Sequence, residues 1–340
     1  MSGLIRPIGL LDIPLISRLQ HQGIQLDLRR ALTLPESPLA VALRAPLALG
    51  NPPAYTYIGW QDQPANDQMG FVQLRSRQCE RPQADITYIA PTLDTHVTSS
   101  ALWTRLLNAV CWEAAIHGIQ QVFADLPADS ENVTPFLNAG FVIFAREDIL
   151  GCDQLTPAKG TSNIPVRPQT DSDTPDLQRL YAAIVPVGVK QAEGAFEVTE
   201  THSGPTGRPS VNGYVFERDG EIAGHVNIFQ GKIGHRVQFT VRPDSPDLAQ
   251  EVVAAGLQLL SEMPAQPVFC HIRTYQSCLK PALMDRGFKV IDVRDIAVRQ
   301  TLARVGKPAL SSMTVLDSRS EVSVTPSLSP HWQQAKKRKT

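Results

Sequence analysis

The chain is 340 residues long, 42% hydrophobic and 19% charged, with a formal net charge of -1. That length exceeds what one hydrophobic core usually serves, so two domains are expected. The balanced charge gives no global attraction to nucleic acid or to an anionic membrane, and neither is expected as a partner.

The opening segment IRPIGLLDIPLISRL places Arg6, Pro7, Pro14, Arg18 and Leu19. DITYIAP, residues 85–91, is rich in β-branched and aromatic residues and ends at Pro91, which predicts a strand. Ser99 or Ser100 stands where it can cap a helix with apolar pairs recurring every four residues: Leu102/Trp103, Leu106/Leu107, Val110/Cys111 and Ala114/Ala115. Gly118 ends that helix. QVFADL follows as a buried strand, and ENVTPFLNAGF as a short helix ended by Gly140. A linker is expected at residues 152–163.

After it come VQFTVRP, a helix from about Leu248 to Met263 stopped by Pro264, the strand PVFCHI, and CLKPALMDRGF. GKIGHR, residues 231–236, reads as a hairpin turn and not a phosphate loop. Residues 306–340 lose apolar periodicity and end in Lys336, Lys337, Arg338 and Lys339, which predicts a disordered, basic-ended tail.

The second set of elements repeats the first. IRPIGLLDIPLISRL matches VRPQTDSDTPDLQRL at an offset of 161 residues, with Arg6 against Arg167. MGFVQL then matches AGHVNI at an offset of 154, and ITYIAP matches QFTVRP at 152. Gly140-Phe141 matches Gly287-Phe288 at 147. Four matches in one order, at a falling offset, predict two copies of one α/β domain, residues 1–151 and 164–305, the second with shorter loops.

Taken twice, helix, strand, short helix and Gly-Phe after a Pro-terminated strand resembles the Gcn5-related N-acetyltransferase (GNAT) fold, a mixed-sheet α/β architecture. The resemblance covers nearly everything but linker and tail. It implies acetyl-coenzyme A as cofactor, entering a splay between the family's fourth and fifth strands. Its pyrophosphate would sit on backbone N–H groups at the start of the next helix, where free donors and the helix dipole favour an anion. In the first copy that places the cofactor against Ile89, Thr95, His96, Val97, Thr98, Ser99 and Ser100. The loop keeps the family's length, but Asp94 stands at its basic position and Val97 and Ser99 at its glycines. The second copy's loop is shorter and carries Asp244, Asp247 and Pro246. The first copy is therefore the favoured half.

For proton transfer the candidates are Asp85 and Glu80, ahead of the Pro-terminated strand. The family's tyrosine, four residues before Gly-Phe, is replaced by Phe136 and Leu283. Cys270 and His271 are adjacent in a strand, so their side chains point to opposite faces and make no nucleophile–base pair. The five cysteines are odd in number and lack a C-x-x-C pair, so reduced thiols without disulfide framework or structural zinc are expected. His117 and Glu113 lie one helical turn apart without a further ligand, and no metal is expected. Trp103 and Trp112 are expected in the core and at the domain interface.

No apolar run reaches the ~18 residues of a membrane span, and the chain opens without a secretion signal, so a cytoplasmic location is expected. Two functions stay open. One is an acyl-CoA-dependent N-acetyltransferase acting on an unknown small-molecule or protein amine. The other is a catalytically degenerate tandem that binds a ligand or a protein.

Overall fold

The computed structural model describes residues 5–44, 54–61, 68–77, 82–93, 100–128, 130–155, 165–194, 211–242 and 246–301. The expected tail, most of the linker and Cys79 lie outside them. In the first copy β1 (Ile5–Pro7), α1 (Ile13–Leu19), β2 (Ile24–Gln25), α2 (Leu28–Ala31) and α3 (Pro38–Arg44) precede β3 (Ala54–Gln61), β4 (Gln68–Ser76) and β5 (Gln83–Ala90). Then follow α4 (Ser100–Ile116), β6 (Gln121–Pro127), α5 (Val133–Asn138) and β7 (Val142–Cys152). The second copy runs β8 (Val166–Pro168), α6 (Thr174–Ile184), α7 (Val187–Glu193), β9 (Val211–Arg218), β10 (Glu221–Gln230) and β11 (His235–Val241). It closes with α8 (Pro246–Ser261), β12 (Val268–Arg273), α9 (Leu279–Met284) and β13 (Lys289–Gln300).

The repeat seen in sequence is a repeat of interactions. Arg6 forks onto Asp12 with bonds of 2.6 and 2.8 Å, and Asp12 also accepts from the Gly9 amide. Its counterpart Arg167 forks onto Asp173 at 2.7 Å through each nitrogen, and Asp173 accepts from the Thr170 amide. Each fork ties the first strand to the start of the first helix, and the guanidinium holds both carboxyls below their usual range. Gly140 and Gly287 end equivalent helices at φ +83° and +88°, a backbone region that favours glycine.

On α4 all eight paired apolar residues are buried, and Trp103 donates its indole N–H to the Pro91 carbonyl at 2.8 Å. Trp112 on the same helix is 59% exposed, so its expected place at a domain interface is corrected. The helix buries one stripe only, and Trp112 falls outside it. Cys111, Cys152 and Cys270 are buried free thiols and Cys278 is partly buried. The GKIGHR segment joins β10 to β11 as a hairpin, with Gln230 paired to His235.

The described strands form one sheet in the order β1-β3-β4-β5-β6-β13-β7-β12-β11-β10-β9-β8, with β2 paired to β5. The two copies meet by exchanging their last strands. β13 of the second copy lies between β6 and β7 of the first, and β7 lies between β13 and β12. The boundary expected near residue 152 therefore separates two sequence copies and not two sheets, and residues Met1–Ala303 form one compact unit. Both central strands have all their backbone partners only when both copies are present.

A fragment ending at residue 155 leaves β6 and β7 without the strand between them; size exclusion and circular dichroism are expected to show no folded monomer. His225 on β10 is 2% exposed and bonded through Nε2 to Gln169, and burial pushes its imidazole down to about 4. A depressed folded value means that the unfolded chain binds the extra proton, so this contribution to stability is present above pH 6.5 and is lost as pH falls toward about 4. Denaturant titrations of His225→Gln are expected to show a shallower loss of stability across that window.

Candidate active site

Each copy contains a parallel strand pair that diverges after three residues. β5 and β6 pair from Gln83 to Asp85, and β11 and β12 from His235 to Val237. Beyond those points the sheet opens a wedge, and the two wedges differ.

In the first copy the wedge is filled by the chain itself. β2 pairs antiparallel with β5, Ile24 opposite Ile89 and Gln25 opposite Tyr88, on the edge that β6 has left. Leu26 donates its amide to Thr87 at 2.9 Å and accepts at its carbonyl from the Asp125 amide at 3.2 Å, bridging both diverging strands. Leu26 is 1% exposed. Gly23 lies so close to β5 that a Cβ there would sit 2.4 Å from the Tyr88 ring and 2.5 Å from the Ile89 carbonyl, so only glycine fits.

This bears directly on the expected cofactor residues. Ile89 is fully buried and its strand edge is taken by β2, which leaves it no surface for a cofactor. Ser100 is an exposed first residue of α4. Thr95, His96, Val97, Thr98 and Ser99 lie outside the described residues, as does Glu80. Asp85 is engaged by a guanidinium, Arg77 reaching it through Nε at 2.8 Å and Nη2 at 2.6 Å, and is not placed as a free base.

Among the described residues the second copy has no counterpart of β2, and α6 and α7 are joined by Val185 and Pro186 alone. Its wedge is crossed, among the described residues, by the side chain of Gln276, whose Nε2 donates to the Phe239 carbonyl at 3.1 Å. Beside it lies a cleft of about 250 Å³. Strand alternation decides what enters it: Val237, Phe239, Cys270 and Ile272 face the core under α8, while Arg236, Gln238, His271 and Arg273 face the cleft. Cys270 and His271 do point to opposite faces, and burial raises the Cys270 thiol far above its usual range.

At the floor of the cleft is Glu147, from β7 of the first copy, with a fully buried side chain. Arg273 is its direct cross-strand neighbour and forms an ion pair with it, Nε 2.9 Å from Oε2. Arg29 of α2 reaches the same oxygen at 2.7 Å, and His271 Nδ1 meets Oε1 at 3.1 Å. Two guanidiniums hold this carboxylate well below its usual range despite burial. Burial in turn lowers the His271 pKa, so the imidazole is neutral near pH 7. Glu147 accepts only, so Nδ1 carries the hydrogen and Nε2 keeps its lone pair. That Nε2 is buried with no hydrogen-bond partner.

Sequence reasoning weighed His271 only as a partner for cysteine and passed over Glu147, Arg29 and Arg273. The available signal was charge inside strands that are otherwise apolar: Glu147 in VIFAREDILGC and Arg273 after PVFCHI. A charged side chain in a half-buried strand requires a partner across the ladder. Among the described residues no His, Cys, Asp and Glu group is arranged to hold a metal, and no helix is long and apolar enough to cross a membrane.

No protein-family model matches the chain, and no curated protein is significantly similar to it. Among solved structures, a GCN5-related N-acetyltransferase from Sphaerobacter thermophilus superposes with a TM-score of 0.52 at 11% identity, over 88% of this chain and 96% of that one. A tandem GNAT protein from the clavulanic acid biosynthesis pathway is similar over 89% of this chain and 99% of its own, at 12% identity and a TM-score of 0.47. The first likeness is one of fold, and it agrees with the element order and the splayed strands described above: the chain has the GNAT fold, in tandem.

Removing Glu147 leaves Arg29 and Arg273 facing each other without their shared carboxylate. Glu147→Ala is expected to cost about 3–5 kcal/mol in denaturant unfolding, the scale of a broken buried ion pair. Glu147→Gln, which keeps the shape and part of the hydrogen bonding, is expected to cost less.

Proposed function

We propose that the protein is an acyl-CoA-dependent N-acyltransferase whose chemistry takes place in the cleft of the second copy, with His271 as general base. The reading rests on the fold and on one observation above all, the buried, unpartnered Nε2 of a neutral histidine held by Glu147. The wedge supports it further: beyond Val237 the only bond that the described residues send from β11 into the opening is the one from Gln276 to Phe239. A pantetheine arm would find strand edge there and none in the first copy.

When bound, the cofactor supplies a thioester carbonyl as the electrophile. The chain's own residues do the rest. His271 Nε2 takes a proton from the acceptor amine as the N–C bond forms, and Glu147 stabilises the imidazolium that results. Tyr275 lines the cleft with its hydroxyl pushed up to about 12 by burial, so it keeps its proton at neutral pH and can donate it to the departing thiolate. The first copy then serves as support, contributing Glu147 and Arg29 rather than a second site. A binding role without catalysis is favoured by the filled first wedge and by the acidic residues Asp244 and Asp247 at the second loop.

Release of free thiol from acetyl-CoA in the presence of a panel of primary amines tests the proposal. Turnover is expected, with His271→Gln lowering kcat/KM by roughly 10²–10⁴-fold while acetyl-CoA still binds. Absence of acetyl-CoA binding at millimolar concentration would sink it.

A further inference from the structure

The cleft carries more positive charge than it neutralises. Four guanidiniums line it: Arg29, Arg77, Arg236 and Arg273. Three carboxylates answer them. Glu147 takes Arg29 and one arm of Arg273, Glu193 takes the Arg273 Nη2 arm at 2.5 Å, and Asp85 takes Arg77. Among the described residues Arg236 is left without an ion pair, with Asp27 acting on it only through space. It stacks on Phe229, its cross-strand neighbour, with the guanidinium carbon 3.6 Å from the ring centroid. Arg273 is spent only in part: its side chain is 8% exposed, and Nη1 is buried with no hydrogen-bond partner. Nε and Nη2 being engaged, Nη1 is a fixed donor looking for an acceptor.

Desolvated guanidinium groups in this state are a built anion site. Phe229 holds the plane of Arg236 and the Glu147–Glu193 pair holds that of Arg273, so little side-chain freedom is lost when a ligand arrives. The size of the surplus sets the charge of the ligand. One unmatched cation suits one negative charge, whereas a phosphate dianion would bring a second charge close to Glu147 and Glu193. The remaining lining includes Tyr181, Tyr275 and Val185, which suits a compact side chain with apolar surface. His271 lines the same cleft, with its Nε2 buried and unpartnered.

Building on the acyltransferase reading, we infer that the acceptor is an amine that carries a carboxylate, of free amino-acid size, with the carboxylate held by Arg236 and Arg273 Nη1 and the amino group directed to His271. This assigns the substrate class and gives Arg236 a role as a specificity-determining residue.

The test measures binding to the full chain without coenzyme, by calorimetry, using L-leucine and L-phenylalanine beside their amides and inorganic phosphate. At least one acid is expected to bind about tenfold or more tightly than its amide, and Arg236→Gln, checked for folding by circular dichroism, is expected to abolish that preference. If Arg236→Gln does not fold, Arg236→Lys replaces it and is expected to lose several-fold of the preference, since an ammonium cannot make the two-point bond. Equal binding of acid and amide, tighter binding of phosphate than of either acid, or no saturation by any acid below ~10 mM overturns the inference. Acid binding without thiol release would count against the acyltransferase reading and leave this one standing. Thiol release with amines that lack a carboxylate, at rates equal to those with the acids, would do the reverse.

Discussion

The structure depends on a carboxylate that has no access to water. Glu147 sits at the middle of the sheet, on a strand from one copy whose two neighbours both come from the other. An ionised group in that position is tolerated only if its charge is met at once by fixed partners. Arg273 across the ladder, Arg29 from the helix above and His271 on the diagonal meet it. On the other side Arg294 of β13, also directly opposite Glu147, turns away to Asp125 at 2.7 Å. The central strands thus carry alternating charges on one face, Asp125, Arg294, Glu147 and Arg273. Each pair spans a junction between the copies, so the ion ladder and the strand exchange require each other. A one-residue slip of β7 would turn Glu147 into the apolar face and strand its partners.

Because the same contacts fix the cleft, stability and the geometry of the cleft are coupled. The bond that holds Glu147 in place also sets the tautomer of His271 and leaves Nε2 available. The arms of Arg273 that hold Glu147 and Glu193 leave Nη1 over. A site assembled from both copies in this way cannot survive their separation.

Divergence of the two copies has a simple physical form. In the first, the eight residues between α1 and α2 let the chain fold back into its own wedge and satisfy the free strand edge with its own backbone. The second joins its two helices through Val185 and Pro186, puts no described strand on the edge, and places charged residues beside it. The acidic residues in the loops expected to meet the cofactor are found in both copies and do not discriminate between them, whereas the filling of the wedge does.

The sequence alone determined the duplication, the order of elements in each copy, the buried stripe of α4 and the glycine-ended helices before each final strand. These are local facts, carried by periodicity, by turn residues and by the Arg6 and Arg167 matches. It also determined that Cys270 and His271 face opposite ways, since alternation in a strand needs no partner to be known. Tertiary structure decided which strand lies beside which. Nothing in residues 142–152 or 289–300 says that β7 and β13 change places, because an antiparallel ladder accepts any strand whose pattern matches. It decided equally that Ile24 and Gln25, too short a run to register as a strand, close one site, and that Asp85, promising by position, is held by Arg77. Loop length favours the first copy as the active half, while among the described residues the wedge left unfilled by a strand is that of the second. Loop length is written in the chain, but whether a wedge is empty depends on what else folds into it.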